Sequence, residues 1–284
     1  MKILILGITG LIGRTMFKAL VQCSDFKVIG TTRSKIMQYD EQNSVLYGID
    51  LGNPEHLTRL FFKTRPDLVV NCAGLTKHLP DGKDPISALT MNALLPHRLE
   101  EHCAISGSRL IHVSTDCVFS GKTGNYVESD IADADDLYGK TKAFGEVTGK
   151  NVLTLRTSTI GHECGTKFGL LDWFLAQQQC KGFRYAIFSG LTTIEFARVV
   201  RDIVIPNTSL HGLYHVGSSP IDKLNLLQLI KNIYHRDMEI EANEDFRINR
   251  SLNSEKFILA TGYRAPTWSQ LIETMYQDYI EGAR

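Results

Sequence analysis

Long hydrophobic runs are missing from this chain. No apolar stretch approaches the roughly 20 residues that a membrane-crossing helix requires. The apolar start, Met1 to Gly13, is interrupted by Gly7, Gly10 and Gly13. It carries no basic leader and no small-residue cleavage site, so it does not read as a signal peptide. An excess of one charge is missing too. Lys and Arg number 31 and so do Asp and Glu, which removes the electrostatic case for a nucleic-acid partner or an anionic membrane. Cysteine is sparse and scattered: Cys23, Cys72, Cys103, Cys117, Cys164 and Cys180 form no C-x-x-C pair. That pattern argues for reduced thiols in a cytoplasmic protein and against a disulfide framework or a zinc site. The nine histidines make no H-E-x-x-H spacing, so no metal is expected.

What is present is an ordinary globular composition, 43% hydrophobic over 284 residues, enough for one large or two small domains. Short Val/Ile/Leu-rich runs at Lys2–Leu6, Lys27–Thr31, Val45–Ile49, Leu68–Ala73, Arg109–Ser114 and Val152–Thr157 read as strands covered on both faces. Helical stretches alternate with them at Leu11–Gln22, Pro54–Thr64, about Asp84–Ser106 and Leu137–Thr148. The rhythm predicts an α/β, Rossmann-type, doubly wound parallel sheet with right-handed crossovers. It breaks near residue 158. Residues 158–192 read as loop-rich with one helix at Leu170–Gln179. Helices at Thr193–Ile205, Leu224–Tyr234 and Thr267–Ile280 and a strand at Leu213–Val216 follow. We expect a dinucleotide domain over 1–158 and a mainly substrate-binding region over 159–284. Elements within about 193–235 are expected to return to the sheet.

The first strand runs into Gly7-Ile-Thr-Gly10-Leu-Ile-Gly13 and then a helix. Gly7 suits a positive-φ turn, Gly10 lets the backbone approach a pyrophosphate, and Gly13 permits close helix–strand packing. The helix start offers free N–H groups to phosphate. Gly7, Thr9, Gly10, Leu11, Ile12 and Gly13 are therefore expected cofactor contacts. An NAD-selective site has a carboxylate about 20 residues on. Here the second strand ends Thr31-Thr32-Arg33-Ser34. Thr32 and Arg33 suit a 2′-phosphate, so NADP(H) is favoured over NAD(H). Asp50 and Leu51 are placed to meet the adenine, and the small residues Cys72, Ala73 and Gly74 leave room beside the dinucleotide.

Tyr138 and Lys142 are four apart, which puts them on one helix face. A phenol titrates near 10. A neighbouring ammonium and an oxidised nicotinamide lower that value, so Tyr138 can pass a proton to a carbonyl oxygen as hydride reaches the carbon. Lys142 would also anchor the nicotinamide ribose. Thr115, at the end of the fifth strand, can hydrogen-bond and orient the same carbonyl.

Together these pieces resemble the extended short-chain dehydrogenase/reductases, and within them the dTDP-4-dehydrorhamnose reductase family. The resemblance rests on G-I-T-G-L-I-G (7–13), S-T-D-C-V-F-S-G (114–121), Y-G-K-T-K-A-F-G-E (138–146), L-R-T-S (155–158) and R-S-L-N-S-E-K-F (250–257). It implies a catalytic Thr115, Tyr138 and Lys142, a cofactor-site Asn92, and NADPH-dependent reduction of a nucleotide-linked 4-keto-6-deoxysugar. It also implies a homodimer through the helices near 84–106 and 138, with Ala88, Leu89, Leu95, Leu99 and Ala143 as candidate apolar surface.

Substrate contacts are expected from Thr76, Thr115, Asp116, Trp173 and Arg247, with Arg184 a further diphosphate candidate. The dehydratases of this superfamily carry Asp-Glu after the threonine, whereas here Asp116 is followed by Cys117. That favours a simple reductase. Cys117 also stands where the rhamnose reductases have an aromatic residue, and a UDP-linked N-acetylated sugar is as consistent as the dTDP sugar. The rival functions are an NAD(P)-dependent nucleotide-sugar epimerase and a non-catalytic NADP-binding regulatory subunit.

Overall fold

The computed structural model describes residues 1–34, 44–163 and 168–282; Cys164 lies outside them. Strand β1 (Lys2–Leu6) alternates its side chains between the two faces of the sheet. Ile3 and Ile5 enter one apolar cluster, Leu4 and Leu6 the other, and all four are fully buried. This two-sided burial is why the strand reads as an unbroken apolar run.

Helix α1 (Leu11–Val21) leads to β2 (Lys27–Thr31) and the short β3 (Ser44–Leu46). Helix α2 (Pro54–Thr64) opens on Asn53, whose side chain accepts from the Glu55 N–H, and leads to β4 (Leu68–Asn71). The single helix expected across 84–106 is interrupted. It is built from α3 (Pro85–Ala88), a wider π-helical stretch at Leu89–Leu94, and α4 (Leu95–Ser106). Pro96 has no N–H to offer the carbonyl of Asn92, so the regular ladder cannot continue there. Strand β5 (Arg109–Thr115), helix α5 (Leu137–Phe144) and β6 (Val152–Thr157) complete the first half. Helix α5 is shorter than expected and is capped by Gly145, which packs directly on the Asn92 carbonyl, where any Cβ would collide.

The second half contains β7 (Thr159–Ile160), α6 (Leu170–Leu175), β8 (Gln179–Phe188), β9 (Leu191–Thr192) and α7 (Thr193–Val199). Then come β10 (Gly212–His215), β11 (Ile221–Asp222) and α8 (Lys223–Ile233). It closes with β12 (Glu239–Asn249), α9 (Glu255–Thr261) and α10 (Trp268–Gly282). Two long strands, β8 and β12, were not expected, nor was α9. Both strands are half exposed and carry charges such as Lys181, Arg184, Glu241 and Arg247. They become strands because they pair with each other in parallel, a long-range contact that local propensity does not carry.

The central sheet has seven strands in the order β10-β6-β5-β4-β1-β2-β3, every neighbouring pair parallel. The order reverses direction at β1 and β4, and the crevice at their C-terminal ends is where such sheets bind ligands. Strand β10 joins this sheet beside β6, so the chain crosses back after residue 158. A second, three-stranded sheet, β11-β8-β12, is packed on α8. No helix among the described residues is long and apolar enough to cross a membrane.

Candidate active site

The glycine loop has the geometry its spacing suggests. Gly7 has φ +78°, and a Cβ there would sit 2.8 Å from the Ala73 Cα. A Cβ on Gly13 would collide with the Gly7 carbonyl. The first turn of α1 is therefore pressed against the end of β1. Its N-cap is Gly10, no side chain caps it, and no acidic residue lies in its first turn. Those amides are open to an anion. Thr9 and Gly10 are exposed at the loop tip, Leu11 and Ile12 are partly buried, and Ala73 of the β4 end faces Gly7. This cradle fits a dinucleotide pyrophosphate.

Around the expected adenosine end Arg33 and Asp50 are exposed, while Thr32 is buried. The Thr32 hydroxyl donates to the Ser34 carbonyl (3.0 Å). Arg33 lies 3.7 Å from Asp81, with both side chains more than half exposed, so the guanidinium is only loosely held. Asp50 Oδ1 accepts from the Gly52 N–H (3.0 Å), making a tight turn of its own, while Leu51 is buried. Asn92 is fully buried and does not reach outward. Its Oδ1 accepts from the Leu75 N–H (2.8 Å), and its Nδ2 donates to the Leu75 carbonyl (2.9 Å) and to Thr141 Oγ1 (3.2 Å). It clips the segment after β4, including Gly74, to helix α5.

Thr115 and Tyr138 are brought together, with Lys142 one turn further along the same helix. Asp136 caps α5 by accepting from the Gly139 N–H (2.6 Å). Gly139 lets the helix start rest on the Cys117 carbonyl, where a Cβ would not fit. The Tyr138 hydroxyl is thereby within hydrogen-bonding reach of Thr115. The Thr115 Oγ1 also accepts from the Cys117 N–H (3.1 Å) and donates to Asp116 Oδ1 (3.2 Å). The Lys142 ammonium donates to the Val113 carbonyl (2.8 Å) near the end of β5. Burial pulls Lys142 down to about 8, partly opposed by Glu146.

The expectation that Lys142 acidifies Tyr138 is not what the protein alone does. Burial pushes the Tyr138 phenol up, the nearby Cys117 adds to that, and the opposing influence is the Thr115 hydrogen bond. The ammonium is turned to the Val113 carbonyl instead. The sequence reading also missed the support behind Lys142. Glu146 and Arg156 form a buried bidentate pair (2.7 and 2.8 Å), and Ser114 Oγ donates to the same carboxylate (2.6 Å). Both residues sit inside quoted motifs, but only the sheet brings Ser114 and Arg156 into register.

On the substrate side, Asp116 is buried, and burial raises its carboxyl against the pull of Arg250 and Lys223. Burial also pushes the Cys117 thiol up to about 12. Arg250 donates through Nε to the Phe119 carbonyl (2.8 Å) and through Nη1 to Cys117 Sγ (3.5 Å). Neither Arg250 nor Lys223 was singled out from the sequence. Thr76 is exposed just after the β4 end. The other expected contacts lie on the second half. Arg247 stacks on Tyr185 of β8 (3.9 Å to the ring centre), and Arg184 pairs with Glu244 (3.2 Å). Trp173 is 39% exposed on α6, so it is not a core residue.

The apolar surface needs correction. Ala88, Leu95 and Leu99 are fully buried within the chain and cannot meet a partner. The exposed apolar residues of that region include Ile86, Leu89, Leu94, Ile105 and Phe144.

Residues 1–280 match the family model described as the RmlD substrate binding domain. Similar curated proteins include the dTDP-4-dehydrorhamnose reductase of Aggregatibacter actinomycetemcomitans, 27% identical over 231 residues, which are 77% of this chain and 74% of that protein. The methionine adenosyltransferase 2 subunit beta of Rattus norvegicus is 32% identical over 145 residues, 51% of this chain and 41% of that protein. Among solved structures, a dTDP-4-dehydrorhamnose reductase from Bacillus anthracis str. Ames in complex with NADP superimposes with a TM-score of 0.78 at 16% identity. That alignment spans 98% of this chain and 99% of the other. The chain carrying this glycine cradle and this Thr115–Tyr138–Lys142 cluster belongs to the family defined by the RmlD substrate-binding domain.

Proposed function

We propose that the protein is an NADPH-dependent reductase of the 4-keto group of a nucleotide-linked 6-deoxysugar, acting in the cytoplasm. The observation that carries this reading is the Tyr138 hydroxyl within hydrogen-bonding reach of Thr115 at the end of β5, with Lys142 one helical turn further along α5 and bonded to the Val113 carbonyl. Residues 1–158 act as the dinucleotide domain and 159–284 mainly as the substrate region.

The glycine cradle, Arg33 and Lys142 would hold the cofactor, which when bound supplies the hydride. Thr115 orients the substrate carbonyl by turning its hydroxyl hydrogen from Asp116 to the carbonyl oxygen. Tyr138 breaks its own O–H bond and gives that proton to the same oxygen as the carbon is reduced, leaving an alcohol and a phenolate that is reprotonated from solvent. Lys142 stabilises that phenolate; its positive charge becomes useful when the negative charge appears. Relatives described as reductases of this sugar class support the substrate assignment. The intact Thr115, Tyr138 and Lys142 favour a reductase over a subunit such as the methionine adenosyltransferase 2 subunit beta.

Tyr138→Phe tests the mechanism. It is expected to retain NADPH affinity and to lower turnover of dTDP- and UDP-linked 4-keto-6-deoxysugars by about 10²–10⁴-fold. Full activity in that variant refutes the proton-transfer role. Consumption of one NADPH per sugar distinguishes reduction from epimerisation.

The exposed Ile86, Leu89, Leu94 and Phe144 on neighbouring helices make an apolar face suited to a second copy of the chain. We therefore assign the homodimer contact to these residues.

A further inference from the structure

Three observations meet at the Asp116–Cys117 turn beside Tyr138. Lys223 is the first residue of α8, just after the capping Asp222. That position lets its side chain extend from the helix start towards the strand ends of the central sheet. Its ammonium lies 3.5 Å from the centre of the Phe188 ring, at the end of β8. It also lies within electrostatic range of Asp116 and Cys117, the two residues that follow Thr115. From the other side, Arg250 is bonded to the Phe119 carbonyl and Cys117 Sγ. Among the described residues Asp116 accepts from neighbours in its own turn.

A buried carboxylate and a partly buried ammonium within electrostatic range of one another are costly unless polar groups complete them. Phe188 supplies the ammonium with no hydrogen-bond acceptor, so its hydrogens are open to a group that enters the site. The group that suits both is one that donates and accepts at once. A sugar hydroxyl or an acetamido group does so, giving its hydrogen to Asp116 and accepting from Lys223.

We infer that Lys223, acting with Asp116, binds the polar substituent of the hexulose ring next to the reacting carbonyl, and so recognises the sugar rather than the nucleotide. This rests on the reductase reading for the identity of the sugar, but it concerns binding and needs no turnover. Burial pulls Lys223 down to about 8 with Asp116 and Cys117 opposing, so the ammonium is charged at neutral pH and available as a donor.

The test is calorimetric binding of dTDP-rhamnose and UDP-N-acetylglucosamine against dTDP and UDP alone, with NADPH affinity measured by its fluorescence. Lys223→Met is expected to weaken the sugar nucleotides by about ten- to a hundredfold, the range for a hydrogen bond to a charged group. It should leave the free nucleotides and NADPH unchanged, and Lys223→Arg should restore part of the loss. The sugar nucleotide weakened more by Lys223→Met identifies the hydroxyl or the acetamido substituent as the partner. Equal weakening of sugar nucleotide and free nucleotide overturns the inference, as does no change in either. A wild-type protein that binds sugar nucleotides but oxidises no NADPH with any 4-keto sugar refutes the reductase reading alone. One that binds none of the sugar nucleotides overturns both.

Discussion

Lys142 gives the sharpest prediction. Lys142 is 5% exposed, and its ammonium is bonded to the Val113 carbonyl and pulled by burial from 10.5 to about 8. At pH 7 roughly ten molecules in eleven carry the charge, and each pH unit above 8 removes about ninety per cent of what remains. If turnover needs that charge, kcat/KM should be flat around neutrality and fall about tenfold per unit above pH 8. Lys142→Met should lose this limb and run about 10²–10⁴-fold slower at pH 7. The same shift has a consequence for stability. The folded pKa lies below the unfolded one, so between pH 8 and 10.5 the unfolded chain binds more protons and folded-state stability rises with pH. The charged form costs about 3 kcal/mol at neutral pH, so Lys142→Met should be no less stable than wild type in urea. Lys223 titrates near the same value, and Lys223→Met is the necessary control. An alkaline limb that survives Lys142→Met and vanishes in Lys223→Met refutes the assignment to Lys142. A wild-type rate that is flat to pH 10 refutes the requirement for a charged lysine.

Removing one partner of the buried Glu146–Arg156 pair should cost about 3–5 kcal/mol, because the other charge is left inside without compensation. Glu146→Leu with Arg156→Met should cost less than the sum in a urea double-mutant cycle; strict additivity would mean the two do not interact. Arg33→Asp should weaken NADPH at least tenfold and shift preference towards NADH, read as the ratio of the two dissociation constants. Gly13→Ala forces a methyl group into the Gly7 carbonyl. It should lose NADPH affinity even though alanine is the better helix former, and an unchanged affinity would mean the loop yields freely. Phe144→Glu should shift the light-scattering mass from dimer to monomer with little change in the melting temperature, since this side chain is 66% exposed in the single chain.

Much of this protein was written locally. The first five parallel strands, the Gly7–Gly13 turn and the cap at Asn53 follow from side-chain period, glycine stereochemistry and proline placement, all of which act over a few residues. The Tyr138–Lys142 spacing was equally legible, because four residues make one helical turn. What neighbours those groups was not. Strands β8 and β12 lie more than fifty residues apart in the chain and are polar enough to pass for loops; each is a strand only because the other pairs with it. Lys223 and Arg250 reach the Asp116–Cys117 turn through that same arrangement. Asn92 proved to be an internal clip, and Ala88, Leu95 and Leu99 proved to be core. Burial and charge proximity are properties of the packed chain, so the proton affinities of Tyr138 and Lys142 were decided there, whereas the residues themselves and their order were decided by the sequence.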